Sequence, residues 1–326
     1  MAELGVLEAD APATRPTGAP GVAGVGRALP AYRASNDEIA ARLGVDSAWI
    51  ERRTGIRSRR HVRGERLSEL AAAAGAAALR DAGVDAAEVD LVLVATVTAD
   101  EMMPNAAPLV AHALGTNAAA IDIGAACTGF VAALGVGAAS IEAGRARVAL
   151  VVGADILSPH LDPDDRRTAA LFGDGAGAVV LARGAGRVGP MVQRSAGEHA
   201  GLIQARRGAP IEMLGHETFQ VAVGSLVEAS RDACAAAGIT PRDVDLFVFH
   251  QANRRILTAV AERLDVPGER VLDAIADVGN TSSASIPLAL SAAVREGRLA
   301  DGAQVLVGAA GAGFTYGAAV LSWGSA

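Results

Sequence analysis

The chain has 326 residues, 51% of them hydrophobic and 20% charged, enough at about 150 residues per domain for two core units or one large α/β body. All 29 basic residues are arginines, which excludes an internal Schiff base, a phosphate-loop lysine and a lysine general base. A net charge of −7 with 3% aromatics argues against a nucleic-acid partner, and two cysteines, Cys127 and Cys234, make no disulfide scaffold and suit a reducing, cytoplasmic compartment.

Residues 1–20 are rich in Ala and Pro without a period, and lack the basic-then-apolar pattern of a secretory signal. They read as a mobile tail. A first strand is expected from Val22, in VAGVGRALP. Residues 76–96 predict a helix, a glycine stop, a short acidic turn and a buried strand, and residues 230–251 repeat that plan. Gly83 and Gly238 stand 155 apart (238 − 83), as do Asp90 and Asp245 (245 − 90). Residues 141–155 match 294–311 in the same way. Residues 175–181 match 316–321 at a shorter offset, so the first half carries about 15 extra residues near 156–171.

Two similar halves, 21–183 and 220–326, therefore alternate strands and helices, and α/β is the fold class. The strands VDLVLVAT, RVALVVG, VDLFVFH and QVLVGAA are unbroken apolar runs, as in strands buried on both faces. Each sheet should lie between helix layers, with the Gly- and Ala-rich helix after Cys127 packed closely between the sheets. The segment 184–219 has no evident counterpart and is expected to join the halves and shape a pocket. Three stretches without Asp, Glu or Arg (102–121, 123–141 and 302–326) reach membrane-spanning length, but small residues dominate them and they read as core.

Cys127 follows a strand-like run and precedes a helix. At a helix N-terminus the dipole lowers a thiol pKa, and adjacent N–H groups can hold an oxyanion; a buried structural cysteine is the alternative. His250 ends the strand VDLFVFH, where functional residues gather in α/β sheets, although a capping histidine reads the same way. Asn280, in GNTSSASIP, also suits an ordinary helix cap. The repeat joins the three. Counted back from Gly144 and Gly297, Cys127 and Asn280 fall on equivalent helix starts, which a pseudo-twofold axis would bring together beside His250.

From Val22 to Trp323 the chain resembles a β-ketoacyl-acyl carrier protein synthase III of the thiolase-fold superfamily. The resemblance rests on Trp49–Arg57 (WIERRTGIR), Ala126–Phe130 (ACTGF), Phe172–Ala178 (FGDGAGA), His250–Arg255 (HQANRR), Gly279–Ser282 (GNTS) and Gly313–Gly317 (GFTYG). It implies a duplicated five-layer α-β-α-β-α fold, a homodimer and no cofactor. It further implies acylation of Cys127 by an acyl-coenzyme A primer, then decarboxylative condensation with malonyl-acyl carrier protein. His250 and Asn280 would donate hydrogen bonds to the enolate, and N–H groups of Cys127 and the Ala312–Gly313 loop would hold the oxyanion. Trp49, Arg53, Arg166, Asn253 and Arg255 would line the coenzyme A channel, with Asn253 bonded near His250. Gly215 and Phe219 would form pocket wall, and Met103 would close a neighbour's acyl pocket and admit primers larger than acetyl. The family's Gly-Gly-Gly-Phe loop is here Gly311-Ala312-Gly313-Phe314.

Among other residues, Cys234 reads as buried and inert, Asp174 as fixing a turn, and the scattered histidines lack metal spacing. Arg57, Arg59, Arg60 and the pair Arg206–Arg207 suggest either a surface for an acidic carrier or a solvated face. Alternatives are an acyltransferase that moves an acyl group without decarboxylation, and a non-catalytic ketosynthase partner, which the presence of Cys127 disfavours. A dinucleotide module lacks its acidic residue.

Overall fold

The computed structural model describes residues 18–324. The expected tail therefore lies outside the described residues as far as residue 17, and Pro20 already belongs to the first strand. That strand, β1 (Pro20–Ala28), is followed by a small antiparallel pair, β2 (Arg33–Ser35) and β3 (Ser58–Arg60), which brackets α1 (Asn36–Leu43) and α2 (Ser47–Thr54). Then come α3 (Leu67–Ala82), β4 (Leu91–Ala95), α4 (Ala106–Leu114), β5 (Ala119–Ile123), α5 (Gly129–Glu142), β6 (Val148–Asp155) and β7 (Gly175–Arg183). The second half contains β8 (Gly186–Ser195), the short pair β9 (Ile203–Ala205) and β10 (Ile211–Met213), α6 (Gly215–Ala236), β11 (Leu246–Phe249), α7 (Arg254–Leu264), α8 (Ser285–Arg295), β12 (Gln304–Gly311) and β13 (Thr315–Trp323).

One sheet has the order β1-β7-β6-β4-β5, the other β11-β12-β13-β8. In both, the central strands run parallel (β6 with β4, β12 with β11), and the next two neighbours are antiparallel. By position and direction β8 is the counterpart of β1. This corrects the reading of 184–219 as unmatched. An edge strand with a mostly half-exposed pattern, GRVGPMVQRS, carries little apolar periodicity to compare. The counterpart of β5 is reduced to one parallel bridge, Phe247 to Val271.

The repeat is repeated chemistry. Gly83 (φ 65°) closes α3 in a left-handed turn, and Gly238 (φ 73°) follows α6 likewise. Capping boxes follow, Asp85 with Glu88 and Thr240 with Asp243. Asp90 then accepts the Arg147 N–H (2.7 Å) and Asp245 the Gln304 N–H (2.8 Å), pinning each neighbouring parallel strand at its start.

Period-two alternation sorts the strands into layers. Leu93 and Val151 face inward and meet Val248 and Val307 of the other sheet through Phe130 and Ile286 of α5 and α8. Val92, Val94 and Val152 face outward under α3 and α4, while Phe247, Phe249 and Leu306 lie under α6 and α7. The result is helix, sheet, helix, sheet, helix, the thiolase fold.

The two halves differ most between β6 and β7, where residues 156–174 replace the three residues 312–314 that join β12 to β13. This excursion reaches the other half. Leu171 O accepts the Asn280 N–H and Asn280 O accepts the Gly173 N–H, both at 2.9 Å.

Candidate active site

Cys127 sits in a 3-10 turn, Ala126–Thr128, between β5 and α5. A matching turn, Ser282–Ala284, precedes α8. Each opens with a non-glycine residue at positive φ, Ala126 at 44° and Ser282 at 49°, a conformation that costs about 1–3 kcal/mol and persists only where the surroundings impose it. The two turns meet, and Ser282 Oγ lies 3.6 Å from Cys127 Sγ. In this frame Cys127 matches Ser283, so its pairing with Asn280 slips by three residues. The reason is that α5 has 14 residues and α8 has 11, so glycines at the helix C-termini set the wrong register at the N-termini.

The thiol is half-buried, with its pKa pushed up to about 11, chiefly by burial. The Asp155 carboxylate adds to that, while Ser282 and the N–H groups of Cys127 and Ala312 oppose it. The expected lowering by a helix dipole is therefore overturned. The 3-10 turn runs straight into the 14-residue α5, so aligned peptides are at hand, but desolvation outweighs their field. Both N–H groups lie against the sulfur, where a tetrahedral oxyanion would form. Gly311 makes this approach possible, because a Cβ there would lie 2.6 Å from Cys127 Cβ. Gly313, at φ 139°, is a link of the same loop outside the cavity lining.

His250 follows β11 and is 2% exposed, its N–H bonded to Gly308 O at 2.8 Å. Burial pushes its pKa down to about 4, so the imidazole is neutral at physiological pH. Nδ1 lies 2.6 Å from Ser285 Oγ. Asn280 Oδ1 accepts the Ser282 N–H at 2.9 Å, which leaves the amide donors for the cavity that Asn280 lines. Cys127, His250, Asn280 and Ala312 all border one cavity of about 640 Å³.

The inner wall is apolar, with Leu157, Leu171 and Phe172 from the excursion and Ile203, Ile211 and Met213 from the β9–β10 region. Arg53, Asn253, Arg255, Gly215 and Phe219 also line it. Arg255 stacks on Phe219 at 5.7 Å and Arg53 on Trp49 at 5.0 Å. Trp49 touches the cavity only through Arg53. Arg166 is not in the lining; its Nε donates to Leu43 O at 2.8 Å, capping the end of α1. Asn253 does not bond to His250. Its Oδ1 caps α7 at the Arg255 N–H and its Nδ2 donates to Arg53 O, because it lies one turn beyond the strand end that carries His250. Met103 is 78% exposed and outside the cavity of this chain.

The reading of the arginine clusters as surface is revised. Arg57, Arg59 and Arg60 form no basic surface: Arg59 is fully buried on Asn36 and Ala170 O, Arg57 pairs with Asp277, and Arg60 bonds to Ala31 O. Arg206 pairs with Glu212 at 3.5 Å. Asp174 gathers the N–H groups of Val62, Leu157 and Ser158, and Cys234 lies on the buried face of α6. No group of three His, Cys, Asp or Glu able to hold a metal occurs among the described residues, and none of their helices is long and apolar enough to cross a membrane.

Asp155 was not legible as a site residue. It is fully buried at the end of β6 and accepts from Thr96 Oγ1, Val97 N and Thr98 Oγ1 on one oxygen and from Ser283 N and Oγ on the other. It ties the loop after β4 to the turn that carries Ser282. Aligning the repeat on helix starts would have exposed Ser283, and through it this carboxylate.

Family models described as 3-oxoacyl-[acyl-carrier-protein] synthase III match residues 121–197 and, for its C-terminal part, 234–323. A β-ketoacyl-[acyl-carrier-protein] synthase III of Streptomyces coelicolor is 48% identical over 312 residues, 94% of each chain. The chain belongs to the 3-oxoacyl-acyl carrier protein synthase III family. The enzyme of that name from Rhodobacter capsulatus is 45% identical, covering 93% of this chain and 98% of its own. Among solved structures, the 3-oxoacyl-(acyl carrier protein) synthase III of Pseudomonas aeruginosa superposes with a TM-score of 0.91 at 43% identity, over 94% of this chain and 99% of that one. The priming β-ketosynthase of the R1128 polyketide pathway gives 0.90 at 37%, over 96% and 99%. The activity of this family is decarboxylative condensation onto a carrier protein, and the chain is an acyltransferase of that kind.

Proposed function

We propose that Cys127, His250 and Asn280 carry this condensation, primed by an acyl-coenzyme A and extended by malonyl-acyl carrier protein. One observation supports the assignment above all: a sulfur, an imidazole and a carboxamide from distant parts of the sequence border the same cavity. In the first half-reaction Cys127 sulfur attacks the primer thioester. The C–S bond to coenzyme A breaks, coenzyme A leaves as the thiol, and the acyl group stays on Cys127. A thiolate of high pKa is the stronger nucleophile once its proton is lost. The N–H groups of Cys127 and Ala312 stabilise the oxyanion. In the second, malonyl loses CO₂ to give an enolate whose oxygen takes hydrogen bonds from His250 Nε2 and the Asn280 amide. Its carbon attacks the acyl-Cys127 carbonyl, and the released thiolate recovers a proton. No cofactor enters either step.

Trp49, Arg53, Asn253 and Arg255 hold the coenzyme A arm, since an indole and guanidinium groups suit adenine and phosphate. Arg166 acts at a distance, by fixing α1 beside that channel. A second copy of the chain pairs on β5. That strand is the open edge of its sheet, and Ile121 upon it, with Val97, Met102 and Met103 nearby, exposes an apolar patch. Met103 then reaches the partner's acyl pocket, where its flexible side chain leaves room for primers larger than acetyl.

Intact-protein mass spectrometry with a panel of acyl-coenzyme A thioesters tests the assignment. Cys127→Ala should take up no acyl group. Asn280→Ala should still be acylated but should lose condensation by about 10²–10³-fold. Acylation of Cys127→Ala, or equal loss of both steps in Asn280→Ala, refutes it, and a profile led strongly by acetyl refutes the primer preference.

A further inference from the structure

Three buried hydroxyls, two in the turn before α8 and one at the first residue of α8, each have a different duty. Ser282 Oγ addresses Cys127 Sγ, and Ser283 Oγ bonds Asp155 (2.7 Å) and Ala95 O (2.8 Å). Ser285, the first residue of α8 and 2% exposed, bonds His250 Nδ1 at 2.6 Å. Ser285 Oγ also receives the N–H of Gln251 at 3.3 Å. Gln251 is itself fixed, its Nε2 donating to Phe249 O and Leu272 O and its Oε1 accepting from Ala274 N. The Ser285 oxygen therefore meets a donor that cannot turn away, and among the described residues His250 Nδ1 is the one acceptor bonded to it, so its own hydrogen is directed to Nδ1.

We infer that Ser285 is a positioning residue for the condensation step: its hydroxyl donates to His250 Nδ1 and so holds the imidazole in the Nε2–H tautomer. The inference rests on the assignment of His250 as a donor to the enolate. With the other tautomer, the Nε2 lone pair would face the enolate oxygen and no hydrogen bond could form there. The same arrangement bars His250 from taking the Cys127 proton, because Nε2 is already protonated. Acylation should thus be indifferent to Ser285, and condensation should depend on it.

The test compares wild type with Ser285→Ala and Ser285→Thr. Acyl-enzyme formation is followed by intact mass, and condensation of the pre-acylated enzyme with malonyl-acyl carrier protein by product formation. The tautomer is read from ¹⁵N-imidazole NMR, with the His250 signals assigned by their loss in His250→Asn. Wild type should show a protonated Nε2 and a bare Nδ1. Ser285→Ala should acylate within about twofold of wild type, lose condensation by about 10–10²-fold and show mixed tautomers. Ser285→Thr should restore both the tautomer and the rate. A wild-type Nδ1–H signal overturns the inference without any variant, which covers the case in which Ser285→Ala fails to fold. Undiminished condensation in Ser285→Ala, or a threonine variant with the right tautomer and an unrestored rate, overturns it equally. Failure of wild-type enzyme to decarboxylate malonyl-acyl carrier protein refutes the function instead and leaves the tautomer result standing.

Discussion

Replacing Gly311 with alanine tests how closely two backbones must approach for this site to exist. The added methyl would lie 2.6 Å from Cys127 Cβ, 3.1 Å from Sγ and 3.3 Å from its backbone N. Carbon atoms in contact sit about 3.5–4.0 Å apart, so something must move by about 1 Å. β12 is held along its length by β13, with Gly311 opposite Thr315, whereas Cys127 rides on a strained turn. The turn is therefore what yields. Overpacking of this kind costs about 1–3 kcal/mol. At about 2–4 °C per kcal/mol for a chain of this size, the melting temperature should fall by about 2–12 °C. Displacing a nucleophile by about 1 Å costs about 10²-fold in rate. The assay is a time course of acyl-enzyme formation by intact mass, with a thermal melt of the same sample. Gly215→Ala is the control, since Gly215 lines the same cavity and a Cβ there meets nothing within 4 Å; it should acylate within about twofold of wild type. Wild-type acylation by Gly311→Ala, or an equal loss in Gly215→Ala, would refute the reasoning.

The raised pKa of Cys127 sets the pH dependence of its alkylation. With the thiol titrating near 11, the iodoacetamide rate should climb about tenfold per pH unit between pH 7 and 10, where an exposed cysteine levels off above about 8.5. A plateau below pH 8 would mean that the helix end, not burial, controls the sulfur. Asp155→Asn should destabilise the protein by about 2–5 kcal/mol, because one of the two carboxylate oxygens that accept hydrogen bonds becomes an amide donor facing other donors. Condensation should fall more than acylation, since the carboxylate anchors the turn carrying Ser282 and Ser283. A wild-type melt would show the cluster to be dispensable.

The duplication was legible because it is written in local chemistry: glycine helix stops, capping boxes and the aspartates at 90 and 245 recur at fixed spacing. The unbroken apolar strands, the cysteine before its helix and the histidine at a strand end could be read for the same reason. What failed were matters of register and long-range partnership. Helix C-termini aligned Cys127 with Asn280, although unequal helices place Ser283 opposite it. β8 was hidden because an edge strand needs no apolar stripe. Arg59 looked like surface until the fold buried it on Asn36.

Residue order alone determines which segments become strands, where helices stop and which side chains could attack, donate or stack, since these depend on neighbours a few positions away. Only the folded chain decides that a 19-residue excursion pins Asn280, that Asp155 bridges the halves and that desolvation, not a helix dipole, governs Cys127. Burial and hydrogen-bond partnership are sums over atoms brought together from remote parts of the sequence, and no local pattern encodes them.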